Sequence, residues 1–152
     1  MSYSAHVWCL SLISTIFVLI SPPSYADQVR NIYRVEHYAP EKITTNDEAI
    51  AALNKYHQKI SDILKNEHLT GSELERIHKY SYTLEAAALK LKISELIDAS
   101  ISKNLNEQIE TIHISSEKHD DLTVRSAFEE YDAIIKEINA TQGTQAYSDA
   151  AQ

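Results

Sequence analysis

From Ser72 to Gln142 the chain contains neither glycine nor proline. A stretch of that length without either residue is unusual unless it is helical. Helix-start signals support this on both sides. Thr45-x-x-Glu48 and Thr70-x-x-Glu73 have the form of capping boxes, in which the threonine hydroxyl takes one free N–H and the glutamate reaches back for another. After Thr45, apolar residues recur at helical spacing: Ile50, Leu53, Tyr56 with His57, Ile60, and Ile63 with Leu64. The spacing predicts a first helix ending near Asn66. A turn at His68–Gly71 follows, with Leu69 and Leu74 placed as a hydrophobic staple. The last helix is expected over Leu122–Asn139, capped by Asp120 or Asp121. Its stripe is Val124, Ala127 with Phe128, Tyr131, Ile134 with Ile135, and Ile138.

Between them runs a stripe at seven-residue steps, Ile77, Leu84, Leu91, Asp98, Leu105 and Ile112, with Leu74, Ala88, Ile101 and Ile109 beside it. A second apolar face, Tyr82, Leu89, Ile93, Leu96 and Ile97, overlaps its middle, so this segment must be covered from two sides. Either one long helix is buried by other helices or a second chain, or the helix breaks around Asp98–Asn106. The pattern favours the long central helix. The expected fold is all-α, a hairpin or bundle of three helices, four if the break occurs. Residues 27–44 read as an extended N-terminal arm, 45–140 as the bundle and 141–152 as a flexible tail rich in Gln, Gly, Ser and Ala.

The start of the chain carries an address. Residues 7–20 are an uncharged apolar run, stopped by Pro22 and Pro23 and followed by Ser24-Tyr25-Ala26, small residues at the −3 and −1 positions of a cleavage site. The run is too short to span a membrane, which takes roughly 20 residues. The expectation is a signal peptide over 1–26 cleaved after Ala26, with an uncleaved N-terminal anchor as the alternative, a periplasmic location, and no membrane association after cleavage. Cleavage would remove Met1, Trp8 and Cys9, leaving no thiol for a disulfide or a nucleophile.

The net charge is −8, from 14 Lys and Arg against 22 Asp and Glu, which argues against nucleic acid as a partner. No glycine-rich phosphate loop is present, and no serine sits in a G-x-S-x-G elbow. No catalytic residue is assigned.

What chemistry there is lies in a repeated motif. Glu75-Arg76-Ile77-His78 and Glu110-Thr111-Ile112-His113 are both Glu-x-x-His. The match extends to Glu-x-Ile-His-x-x-Ser, ending at Ser81 and Ser116. The i, i+3 spacing puts carboxylate and imidazole on one helix face, as in the ligand sets of di-metal carboxylate bundles. Within one continuous helix the two motifs would lie about 50 Å apart. They could meet in an antiparallel homodimer or across a break near residues 95–96. The plainer reading sets both histidines beside the stripe as boundary residues, half exposed to water. His57 is expected across the first hairpin from His78, where a histidine pair could hold a transition metal or serve as axial ligands to non-covalent haem. C-x-x-C-H is lacking, so covalent haem is excluded.

Leu69-Thr70 followed by Glu73 through Glu85, and Leu105 followed by Glu110 through Glu117, together with the signal peptide and Arg34-Val35-Glu36-His37, resemble a family of small exported bacterial helical proteins of unknown function. The resemblance covers roughly residues 27–135. It implies a periplasmic, all-helical protein and no known activity, substrate or cofactor. The leading expectation is a non-enzymatic binding or structural protein that self-associates or meets a protein partner through its two-faced middle, with no cofactor. The alternative is a metal-binding bundle using Glu75, His78, Glu110 and His113, with His57 as a further candidate ligand.

Overall fold

A computed structural model describes the backbone of residues 38–150 and the side chains of 38–142, all within the unit Glu36–Gln152. The expected signal peptide, and residues 27–37 of the expected arm, lie outside the described residues. Four helices follow one another: α1 (Asn46–Leu64), α2 (Gly71–Ile93), α3 (Ala99–Glu117) and α4 (Asp121–Ala150). No strand occurs among the described residues. Connections of three to six residues force each helix to run antiparallel to the last. The result is an all-α bundle in which α1 packs on α2, α2 on α3, α3 on α4, and α4 closes onto α1.

Each helix starts on an oxygen-bearing cap. The Thr45 hydroxyl accepts the Glu48 N–H at 3.1 Å, and Glu48 Oε2 accepts the Thr45 N–H at 3.0 Å. Thr70 and Glu73 repeat that box at the head of α2. Asp98 accepts the Ser100 N–H at 2.7 Å to start α3, and Asp120 accepts the Thr123 N–H at 3.1 Å to start α4. Asp121, the other residue considered for that cap, accepts the Leu69 N–H at 3.2 Å and the Arg125 Nε–H at 2.7 Å.

The long central helix does not form. The chain leaves α2 after Ile93 and re-enters helix at Ala99. The exit is a Schellman turn. Glu95 adopts φ 52°, its N–H donates to the Lys92 carbonyl, and the Leu96 N–H donates to the Leu91 carbonyl. Glycine is the usual residue at that left-handed position, which is why the sequence shows no break there. The exit of α3 is the same turn with His119 at φ 58°. Asp98, the one polar member of the seven-residue stripe, becomes the cap of α3. The stripe folds back on itself, and Ile77, Leu84, Leu91, Leu105 and Ile112 all face one core and are 0% exposed. Burying side chains of this size contributes roughly 1.5–3 kcal/mol each.

The stripe expected on the last helix is buried: Val124, Ala127, Phe128, Tyr131, Ile135 and Ile138, with Ile134 packed at its edge. The helix itself runs past the expected end at Asn139, its backbone helical through Ala150. On the α1–α4 seam the Tyr131 hydroxyl donates to the Leu53 carbonyl at 3.1 Å, and the Asn54 and Asn139 amides donate to each other's carbonyl oxygens. No described helix is long and apolar enough to cross a membrane.

Candidate metal centre

The break between α2 and α3 brings the two Glu-x-x-His motifs together. In both, the isoleucine fills the core, the histidine lies beside it on the facing helix surface, and the serine one turn on is buried. Ser81 Oγ donates to the His78 carbonyl at 2.7 Å, and Ser116 Oγ donates to the His113 carbonyl at 2.9 Å. The His78 and His113 rings meet edge to face with centroids 4.8 Å apart. They are not half-exposed boundary residues. His78 is 2% and His113 3% exposed, because α3 folds down over α2 and each covers the other's histidine.

His113 Nδ1 lies 2.7 Å from Glu85 Oε1 on α2. A carboxylate can only accept, so Nδ1 carries a proton, and in the neutral ring Nε2 is then the nitrogen with the lone pair. His78 Nδ1 lies 3.8 Å from Glu75 Oε1. The Tyr38 hydroxyl donates to that carboxylate. This hydrogen bond holds the Glu75 carboxyl below its ordinary range and pushes the Tyr38 phenol up. The Tyr38 ring stands edge-on to His78 at 5.8 Å, and Tyr82 packs on His113 at 4.7 Å and on His78 at 5.4 Å. Behind Tyr38, the Glu41 N–H donates to Thr83 Oγ1 at 3.1 Å, which ties the segment before α1 to α2.

One ligand atom from each of His78, His113 and Glu117 lies within 4.8 Å of the other two. Two imidazoles and a carboxylate are donors for first-row transition metals. Glu117 takes the place expected for Glu110, which is exposed and outside this group. It sits one turn beyond His113, and that i, i+4 spacing on one helix face was the signal in the sequence. The repeat is unequal here, because Tyr82 occupies in α2 the position that Glu117 holds in α3. Glu75 approaches His78 from its Nδ1 side, half exposed, in the position of an outer partner.

His57 is placed elsewhere. Its ring stacks on Phe128 of α4 with centroids 5.1 Å apart, and its Nε2 lies 2.8 Å from Asp132 Oδ1. Lys136, at 2.6 Å, and His57 hold the Asp132 carboxyl below its ordinary range. The expected pairing of His57 with His78 is thus replaced by a His78–His113 pair, and His57 belongs to the α1–α4 seam.

A family model covers residues 2–140, both motifs and Glu117 included. The chain belongs to a family of unknown function (DUF6746). No curated protein and no solved structure matches it.

Proposed function

We propose that this chain is an exported, metal-binding helical bundle, with His78, His113 and Glu117 as the protein ligands of one transition-metal ion. The observation that carries the reading is the meeting of two buried imidazoles and a carboxylate across the α2–α3 seam. Burying two imidazoles against each other in a small bundle costs free energy that a bound cation would offset. Glu85 orients His113 through Nδ1, the outer-partner arrangement common to metal-bound histidines. The donor set suits zinc, copper(II), nickel or iron(II), and three protein ligands leave a coordination position open. Export rests on the apolar run 7–20 and the small residues before Asp27.

The test is elemental analysis of the chain purified from its native compartment without a histidine tag or chelator, followed by calorimetric titration of the metal-free protein with zinc and copper(II). Near-stoichiometric uptake is expected, lost in His78→Ala and His113→Ala. Glu85→Gln is expected to weaken affinity about 10–100-fold. Absence of metal after purification together with no uptake on titration would overturn the reading. So would unchanged uptake in the His78→Ala/His113→Ala double variant.

A second reading, a protein-interaction role, is favoured by one observation. Leu89 is 52% and Ile93 71% exposed, one turn apart on the outer side of α2. They belong to the second apolar face that the sequence shows. Size-exclusion chromatography with light scattering on the wild type and a Leu89→Ser/Ile93→Ser variant tests it, and a wild-type monomer that captures no partner would remove it.

A further inference from the structure

The two histidines of the metal centre meet their outer carboxylates in different ways. Glu85 Oε1 reaches His113 Nδ1 from the facing helix at 2.7 Å, and the Glu85 side chain is 26% exposed. Glu75 Oε1 stands 3.8 Å from His78 Nδ1, on the same helix three residues earlier, and the Glu75 side chain is 48% exposed. That separation is beyond hydrogen-bond reach, and a movement of about 1 Å would close it. With a metal ion on Nε2, the neutral His78 ring carries its proton on Nδ1, and Glu75 Oε1 is the carboxylate oxygen beside it. Holding a half-exposed glutamate in the one rotamer that serves this contact costs side-chain entropy.

Tyr38 limits that freedom. Its hydroxyl donates to the same Glu75 oxygen. Its ring lies along one strip of α2, edge-on to His78 at 5.8 Å and to Tyr82 at 6.0 Å, with the Lys79 ammonium 5.6 Å from its centroid. Glu75, His78, Lys79 and Tyr82 share the strip because they stand at i, i+3, i+4 and i+7. Three residues beyond Tyr38 the segment is fixed again. The Glu41 N–H donates to Thr83 Oγ1 at 3.1 Å, and Glu41 Oε1 accepts from the Tyr56 hydroxyl at 2.7 Å. A carboxylate has acceptor capacity for both a phenol and an imidazole N–H, so Glu75 can close on His78 without leaving Tyr38.

We propose, resting on the metal-binding reading, that Tyr38 is a positioning residue of the metal centre, and that Glu75 couples metal occupancy to the seating of residues 38–44 on α2. Tyr38 orients Glu75, Glu75 orients His78, and His78 holds the ion. Linkage is reciprocal: the factor by which the Tyr38–Glu75 contact tightens the metal is the factor by which the metal tightens that contact.

The full chain would be titrated calorimetrically with zinc as wild type, Tyr38→Phe, Glu75→Gln and the double variant. Phenylalanine keeps the ring contacts and removes only the hydroxyl. Tyr38→Phe is expected to weaken zinc binding about three- to tenfold, and to add nothing once Glu75→Gln is present. Combined with Glu85→Gln, on the other histidine, its loss is expected to add in full. Hydrogen exchange over residues 38–44 of the wild type is expected to slow about three- to tenfold on adding zinc, and that response disappears in Glu75→Gln. The exchange arm uses the unaltered chain, so it reads the coupling whatever a variant does to folding. A wild type that takes up no zinc or copper(II) removes the metal reading and this proposal with it. Zinc uptake by the wild type overturns this proposal alone if Tyr38→Phe binds as tightly or more tightly, if the Tyr38 and Glu75 losses simply add, or if zinc leaves exchange over 38–44 unchanged.

Discussion

Two residues in the left-handed region carry much of the topology. Glu95 and His119 adopt positive φ at the exits of α2 and α3, a conformation that costs a side-chain-bearing residue roughly 1–2 kcal/mol relative to glycine. Replacing His119 by glycine relieves that strain and loosens the unfolded chain, and the two effects partly cancel. His119→Gly is expected to raise stability by about 0.5–1 kcal/mol, read as an upward shift of the denaturant midpoint with an unchanged slope. A lower midpoint would mean that the His119 ring, which packs near Gly71, contributes more than the strain costs. The same scale explains a site residue missed in the sequence. Glu110 has the motif spacing, yet Glu117 approaches both histidines. A glutamate three residues before a histidine and one four residues after it are both within a turn on a helix, and only the facing helix decides which of them is used.

Among the elements, the end of α1 and the start of α4 are tied by one side chain. Arg125 on α4 pairs with Asp121 at 2.7 Å and donates to the Leu64 carbonyl at 2.8 Å and the Asn66 carbonyl at 2.6 Å. It thereby satisfies one carbonyl that the last turn of α1 leaves open and one in the loop that follows, while Asp121 holds the Leu69 N–H in the same loop. Arg125→Ala is expected to cost about 1–3 kcal/mol, with hydrogen exchange fastest over residues 61–70. Uniform exchange with unchanged stability would show that water replaces the guanidinium there. Three of the four helix starts were legible from the chain alone because their signals are side chains: Thr45, Glu48, Thr70, Glu73 and Asp120 each appear as capping residues and act as such, whereas Asp98, the cap of α3, kept the step of the stripe. Helix ends were less so. The end of α1, expected near Asn66, falls at Leu64, but the exit at Glu95 is a backbone conformation in a residue that gives no sign of it. The central stripe kept its seven-residue step through the turn, so periodicity favoured one long helix where the chain makes two.

Across the whole molecule, every helix begins on a carboxylate whose pKa is depressed by the hydrogen bonds it accepts. Glu48 is pushed down to about 2 by the Thr44 hydroxyl and the Thr44 and Thr45 amides. Glu73, Asp98 and Asp120 are held below their ordinary ranges by Thr70, Ser100 and Thr123. A depressed folded-state pKa means that the contribution is complete above the unfolded value and is lost as pH falls through the folded one. Stability is therefore expected to be level at neutral pH, to decline from about pH 4.5, and to go on falling toward about pH 2. Glu48→Gln is expected to flatten the lowest part of that decline, read from thermal midpoints in a pH series. An acid profile identical to the wild type would show that the α1 cap contributes nothing measurable.

Local physics is enough to account for the all-α character, the capping residues and the apolar face of each helix. These depend on residues a turn apart, and a turn is contained in the sequence. It also accounts for the pairing of glutamate, isoleucine, histidine and serine in two copies. Whether those copies are far apart or in contact depended on a turn at residues 94–98, and on α3 folding back over α2. That is a matter of tertiary packing, because a stripe that buries its side chains against another helix is satisfied equally by a partner chain or by its own continuation. Folding back buried His78 and His113 against each other, exchanged Glu110 for Glu117, and turned His57 to α4.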